Sequence, residues 1–435
     1  MKTTSVLRRL SLLSSEIFSR IFLGHVFSLI VKVLAGVFVI KILAINKNAT
    51  ENIVLYSQLQ NIIGILLIIL GSSFTTGIIR ETSYSKRESY NFLNAPLNWA
   101  LFITILLVAF LIAINALGLN EILNKVLPIS KFMVLEEQII IVIVAFFLAY
   151  FALYISYMTG LYELKLVYSF TALSSVITIF FAYFFISYYG AFGAICSLGV
   201  GGMVIVVLSY YKYPVTILSI RTIYETIKKL YPYAIVTTMS GAMFILRSIV
   251  IREEFLLKFD SNVAGLWEAM SRITNYHVLF FTSAISVLYL PKLVIRNNNF
   301  SEVNSKFKEM MLLLIIGPLI SCFTILFFSN GLVLTLLSNQ FIAIVKILPY
   351  MVIGDFAFIL ATGFRLFLLA QANHKVSFIL ELFFVLLFII SFKFILSKYG
   401  LEGAGLAYIF ASLSYLLVHI FYWSYLYREK NVVNN

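Results

Sequence analysis

The chain has 435 residues, of which 61% are hydrophobic and only 12% charged, with a mean hydropathy of +0.99. A soluble domain carries about 25% charged residues, so a soluble enzyme, a secreted disulfide scaffold and a disordered protein are excluded; the chain reads as an all-α polytopic membrane protein. The formal net charge of +13 would suggest nucleic acid in a soluble protein, but in a membrane chain it points to basic cytoplasmic loops, and no nucleic acid is expected.

Twelve apolar stretches follow in order: residues 21–45, 53–79, 97–117, 139–159, 166–187, 191–211, 232–251, 264–290, 310–328, 341–370, 376–396 and 403–427. Each approaches the roughly 20 residues that a spanning helix needs. Unbroken apolar runs at residues 64–70 and 382–390 favour helices over barrel strands, which alternate. The start of the chain carries Lys2, Arg8 and Arg9 without an apolar signal region and small-residue cleavage site, so it is expected to stay in the cytoplasm. With that orientation 19 basic residues fall in inner segments and 6 in outer ones. This bias places both termini inside by the positive-inside rule.

The remaining basic residues lie within the spans: Lys32, Lys41, Arg247, Arg272, Lys346, Arg365 and Lys393. The acids there are Glu268, Asp355 and Glu381, so the membrane interior is net basic. Cys196 and Cys322 sit in apolar runs, and neither a disulfide nor a metal site is expected.

Four matches at nearly one offset, 210 or 211 residues, point to an internal repeat. Tyr189-Gly190-Ala191-Phe192-Gly193-Ala194 recurs as Tyr399-Gly400-Leu401-Glu402-Gly403-Ala404; Lys165 matches Lys375, Lys41 matches Arg252, and Tyr56 matches Trp267. The expected organisation is a six-helix bundle at 1–211, a cytoplasmic amphipathic linker at 212–231, a second six-helix bundle at 232–427 and a cytoplasmic tail at 428–435. Substrate sites of repeat-built transporters lie near the repeat interface.

On the eighth stretch Glu268, Arg272 and Asn275 are spaced i, i+4, i+7 and share one helix face. They form a polar stripe suited either to a cavity wall or to a structural ion pair. His277 points the other way and reads as structural. Lys32 lies about 16 Å into the first span, too deep to reach water easily, and is a candidate cavity cation; Lys41 is a weaker one. Asp355 lies about 21 Å into the tenth stretch and suits either a proton or cation relay or pairing with a nearby base. Arg247 and Arg365 could serve a phosphate or merely reach an interface. No Walker-type phosphate loop and no HExxH motif is present, which suggests a transporter driven by a proton or cation gradient or by consumption of its product, with no cofactor and no catalytic residues.

The helix from Val31 through Leu43 resembles the opening helix of Wzx-type flippases. So do Ala264-Gly265-Leu266-Trp267-Glu268-Ala269-Met270-Ser271-Arg272-Ile273, Leu290-Pro291-Lys292-Leu293, Leu337-Ser338-Asn339-Gln340-Phe341 and Val352-Ile353-Gly354-Asp355. The likeness runs from about residue 20 to residue 425 and is greatest to the O-antigen and enterobacterial common antigen branch. It implies the multidrug/oligosaccharidyl-lipid/polysaccharide (MOP, MATE-like) fold, with two pseudo-symmetric bundles of six helices around a cationic cavity. The implied activity is transfer of an undecaprenyl-pyrophosphate-linked oligosaccharide, an O-antigen repeat unit or alternatively lipid III, across the bacterial inner membrane. Lys32, Arg272 and Asp355 match their segments; Glu268 stands where relatives often have Gln, and Asn275 where several have an acid. Implied partners are the lipid-linked oligosaccharide, membrane lipids, and the polymerase and chain-length regulator of the same pathway. Three other readings are a multidrug exporter of the same fold, an O-antigen polymerase and a membrane acyltransferase. The basic interior, the short outer loops and the scattered histidines count against them in turn.

Overall fold

Helix is the only regular structure among the described residues. The computed structural model describes residues 2–45, 48–84, 89–117, 134–295, 300–371 and 373–434. Most of the outer loop expected at 118–138 lies outside them, as do Lys47, Lys86, Arg87, Lys125, Lys131 and Arg296 of the charge tally.

The first half holds α1 (Lys2–Ile45), α2 (Ala49–Ile69), a 3-10 turn (Ser72–Phe74), α3 (Thr75–Tyr84), α4 (Ser89–Ala116), α5 (Leu135–Gly160) and α6 (Leu164–Lys212). The second holds α7 (Ile220–Lys258), α8 (Ser261–Ile295), α9 (Phe300–Phe327), α10 (Ser329–Leu336), a 3-10 segment (Asn339–Lys346), α11 (Leu348–Ala370) and α12 (His374–Asn434). Among the described residues eight helices are long and apolar enough to cross a membrane, and nine if the bent α7 is included. The chain is a multi-pass membrane protein.

Two of these helices are hairpins. At about 1.5 Å per residue, α6 and α12 would each be more than twice the thickness of a hydrocarbon core. Each reverses at a glycine instead: Gly190 at φ 54°, ψ −130° and Gly400 at φ 58°, ψ −140°. Residues with a Cβ pay for a positive φ. Three residues on, Gly193 faces the Phe185 carbonyl and Gly403 the Ile395 carbonyl, each eight residues back. Further along the arms Gly201 faces Thr178, and Phe384 meets Tyr415 with ring centroids 5.0 Å apart. The repeated YGxxGA motif therefore builds the same turn twice: one glycine for the dihedral angle, the other for close backbone approach.

A Cβ on Gly403 would lie 2.6 Å from the Ile395 oxygen, closer than packing allows. Gly403→Val is expected to cut the amount of monodisperse protein in detergent severalfold, whereas Ala at the exposed neighbour Glu402 leaves it unchanged. Fluorescence-detected size-exclusion chromatography reads both; equal peaks would show that the turn tolerates a side chain.

The structure corrects one segment boundary. Residues 341–370 are not one span: the 3-10 segment precedes α11, which starts with Pro349 in its first turn. Asp355 is therefore about 10 Å from the start of its helix, not about 21 Å along a longer one. In the linker 212–231, residues 213–219 are non-helical and 220–231 open α7, which bends by 46° between Ile235 and Thr237. Side chains of α4 and α5 strap this connection down. Tyr90 donates to the Pro214 carbonyl (2.6 Å), Tyr154 to Tyr213 (3.1 Å) and Asn98 to Thr216 (2.8 Å). Lys212 and Tyr213 also donate to Glu163, at 2.6 and 2.5 Å. Burial pushes the Glu163 carboxyl up, but these two donors outweigh it and hold it below its ordinary range.

The halves meet where α2 packs against both α7 and α8 and α1 packs against α8, the α1–α8 and α2–α7 pairs running antiparallel. Gly64 packs on Ile245, Gly241 on Ile68 and Gly265 on Thr50. Small residues let helices approach closely where lipid supplies no hydrophobic drive. Thr50 donates to Asn262 (2.9 Å) near one end of this seam, and Arg80 lies over the Tyr233 ring (5.1 Å) near the other.

Candidate functional site

Polar side chains in a membrane protein gather where backbone or water can meet them. Here they gather around a cavity of about 80 Å³ between α2, α7, α8, α11 and α12. That is room for several waters but not for a sugar. The α8 stripe of Glu268, Arg272 and Asn275 lines it, joined by Arg247 and Ser248 from α7, Asn61 from α2 and Tyr408 from the second arm of α12.

The charges in this cavity are held differently. Arg272 donates to the Gln60 side-chain oxygen and lies 5.5 Å from the Tyr56 ring centroid. Gln60 in turn donates to the Tyr56 hydroxyl (2.6 Å). Asn61 donates to Ser248 (3.3 Å), so α2 closes the cavity with polar groups from the other half of the chain. Arg247 stands among three rings, Phe244, Phe388 and Phe384, at 4.9, 5.4 and 5.6 Å. No hydrogen bond or ion pair joins it to another described residue. Glu268 is 4% exposed and likewise has no such partner; Arg252 acts on it electrostatically.

Lys32 lies outside this cavity yet faces inward. On α1 it shares a face with His25, Ser28 and Val39, all buried, while Leu23, Phe27 and Leu34 on the opposite face are exposed. Lys32 itself is exposed on this otherwise buried face. One turn on, Gly36 abuts the Tyr276 hydroxyl. Lys32 and Arg272 sit one turn to either side of that contact on antiparallel helices, about 12 Å apart along the axis.

Three candidate residues are placed elsewhere than expected. Lys41 does not line the cavity: its ammonium reaches the carbonyls of Leu334 (3.2 Å) and Leu337, at the end of α10. A helix C-terminus leaves its last carbonyls open to a cation, and that site captures Lys41. Arg365 pairs with Glu381 at 2.8 Å within the second half and is not a free phosphate ligand. Asp355 pairs with neither Arg nor Lys. It is 1% exposed and accepts from the Tyr408 hydroxyl (2.9 Å), with His277 Nδ1 at 3.1 Å. His277 Nε2 lies 2.5 Å from the Ser321 hydroxyl on α9.

His277 does turn away from the Glu268 stripe, but into a polar junction of four helices. Ser321, His277 and Asp355 stand in the order nucleophile, base and orienting acid. An acyl-transfer site also needs N–H donors for an oxyanion, and Ser321 sits inside a continuous helix, where backbone N–H groups are taken by carbonyls four residues back. Among the described residues no group of three or more His, Cys, Asp or Glu could hold a metal ion. Sequence reasoning missed Tyr56, Gln60 and Asn61. Their signal was a run of polar residues in the second stretch, Ser57 through Asn61, too regular for a lipid-facing helix.

The fold has solved counterparts. MATE in complex with MaL6 superposes with a TM-score of 0.75 over 96% of this chain and 97% of its own, at 13% identity. A MOP superfamily transporter from Pyrococcus furiosus Vc1 gives 0.73 over 93% and 94%, at 13%. The chain has the fold of MOP transporters. The lipid II flippase MurJ, in its inward closed conformation, gives 0.69 over 94% of this chain and 87% of its own, at 18%. In sequence, the lipid III flippases of Escherichia coli (strain K12) and Shigella flexneri are each 22% identical over 160 residues, 37% of this chain. The chain matches only 38% of the length of these curated relatives. No family profile matches it.

Proposed function

We propose that the chain is a flippase for oligosaccharides linked to undecaprenyl pyrophosphate, in the bacterial inner membrane. It crosses twelve times in two six-helix bundles: α1, α2, α4, α5 and the two arms of α6, then α7, α8, α9, α11 and the two arms of α12. Both termini lie in the cytoplasm. The observation that carries this reading is the pair of guanidiniums, Arg247 and Arg272, facing one polar cavity, with Lys32 a further step away.

An unpaired charge in hydrocarbon costs many kcal/mol, so a pyrophosphate needs counter-charges along its route. Lys32 meets it first, and Arg272 and Arg247 take it next. Several moderate sites suit transport better than one tight site, because the substrate must also leave. The sugars travel in the cleft while the lipid tail stays in the bilayer. Since the cavity is too small for a sugar in this state, the halves must part along the α1–α8 and α2–α7 seams to admit one. Coupling to a proton or cation gradient runs through Asp355, which meets the cavity through Tyr408. A multidrug exporter for cations would be poorly served by two arginines.

The partial likeness to lipid III flippases supports lipid III over an O-antigen unit as substrate; in this reading the polymerase and chain-length regulator of that glycan act downstream. Deleting the gene and complementing strains that lack either flippase tests this. The expected result is lipid-linked units held on the cytoplasmic leaflet and rescue of the strain lacking the lipid III flippase. Accumulation on the outer leaflet would contradict the reading.

A further inference from the structure

Two opposite charges in the cavity keep unused hydrogen-bonding capacity. Glu268 is a buried carboxylate with no hydrogen-bond or ion-pair partner among the described residues; Arg252 acts on it electrostatically, without a hydrogen bond. Arg247 is held by the faces of three phenylalanines. That leaves its N–H edge free, since a guanidinium stacked on rings still carries its donors in the plane. The two charges line the same cavity but do not pair with each other.

A buried carboxylate without donors is costly to keep. If the cavity took a bare anion, a carboxylate in its wall would only repel it. An ionised carboxylate accepts hydrogen bonds and donates none; water can serve Glu268 while the cavity is closed, and a substrate group that displaces that water must bring O–H or N–H. A sugar ring brings several.

We propose that Glu268 is the specificity-determining residue of this site: it accepts hydrogen bonds from hydroxyl or acetamido N–H groups of the sugar joined directly to the pyrophosphate, while Arg247 holds the adjacent phosphate oxygens. This rests on the flippase reading and adds to it that the cavity distinguishes a glycosylated lipid pyrophosphate from a bare one. Neighbouring groups fit the assignment. Asn275, exposed on the same α8 face, and Ser271 add donors and acceptors for further hydroxyls.

The test uses two probes with short tails on the full chain in nanodiscs: farnesyl pyrophosphate, and farnesyl pyrophosphate bearing one N-acetylglucosamine. Trp267 lines the cavity beside Glu268, and its fluorescence reports binding in a background with Trp99 and Trp423 replaced by Phe. The unsubstituted site is expected to bind the glycosylated probe about tenfold or more tightly than the bare one, a preference that hydrogen bonds to a charged group supply. Glu268→Gln, which keeps the shape, should shrink the preference severalfold; Glu268→Ala should abolish it and leave the bare probe bound as well or better. Arg247→Ala should weaken both probes alike.

A preference unchanged in both Glu268 variants overturns the proposal. So does a Glu268→Ala variant that loses the two probes equally, which would make the residue structural. Equal binding of both probes by the unsubstituted site also overturns it, but leaves the flippase reading standing. Binding of neither probe would sink both.

Discussion

Replacing Arg272 with Ala is expected to reduce export of the lipid-linked glycan at least tenfold while the protein still inserts. The side chain does two jobs at one point. It offers positive charge to the cavity, and it crosses the seam between halves to Gln60 and the Tyr56 ring. Hydrogen bonds to charged groups contribute about 1.5–3 kcal/mol each, and each 1.4 kcal/mol is a factor of about ten in affinity. Lys at this position keeps the charge but loses the planar fork, so it should recover only part of the activity. Gln60→Ala separates the two jobs. It removes the tether and leaves the guanidinium, and it should cost far less transport than Arg272→Ala. The assay is glycan at the cell surface, normalised to protein in the membrane. Equal losses in both variants would mean that the tether matters and the charge does not.

The second large effect belongs to Asp355. Its carboxylate receives Tyr408 and faces His277, and Ala in its place takes the acceptor from the Tyr408 hydroxyl and leaves His277 only Ser321. Leaving a buried polar group unsatisfied costs about 1–3 kcal/mol, so Asp355→Ala should lower thermal stability in detergent by several degrees or prevent accumulation. Asp355→Asn keeps an acceptor for Tyr408 and nearly the same volume. It should fold, yet lose any stimulation of transport by an imposed proton or cation gradient. An Asn variant that answers to the gradient as the unsubstituted protein does would remove Asp355 from the coupling scheme and leave it a structural group.

What the sequence made legible follows from periodicity. Glu268, Arg272 and Asn275 face one cavity because the helix repeat places i, i+4 and i+7 together, whatever lies opposite. The two YGxxGA turns were readable because positive φ and close backbone approach demand glycine at fixed spacing. What lies opposite a helix face was not legible. Gln60 meets Arg272 across 212 residues, and His277 meets Asp355 across 78; no local pattern encodes such meetings. Lys41 was misjudged for the same reason, since the carbonyls that hold it belong to a short helix almost three hundred residues on. The depth of Asp355 was misjudged because the apolar run 341–370 hides a 3-10 segment, whose only local sign is Pro349 at the start of α11.

The central claim, that a basic cavity between the two halves carries a lipid-linked glycan across the membrane, is tested most directly by reconstitution. The purified chain would be placed in liposomes loaded with the lipid-linked oligosaccharide, and glycan reaching the outer leaflet scored by a membrane-impermeant lectin. Arrival that depends on the protein, and that disappears in the Arg247→Ala, Arg272→Ala double variant, is the expected result. A double variant that delivers glycan at the unsubstituted rate would contradict the claim.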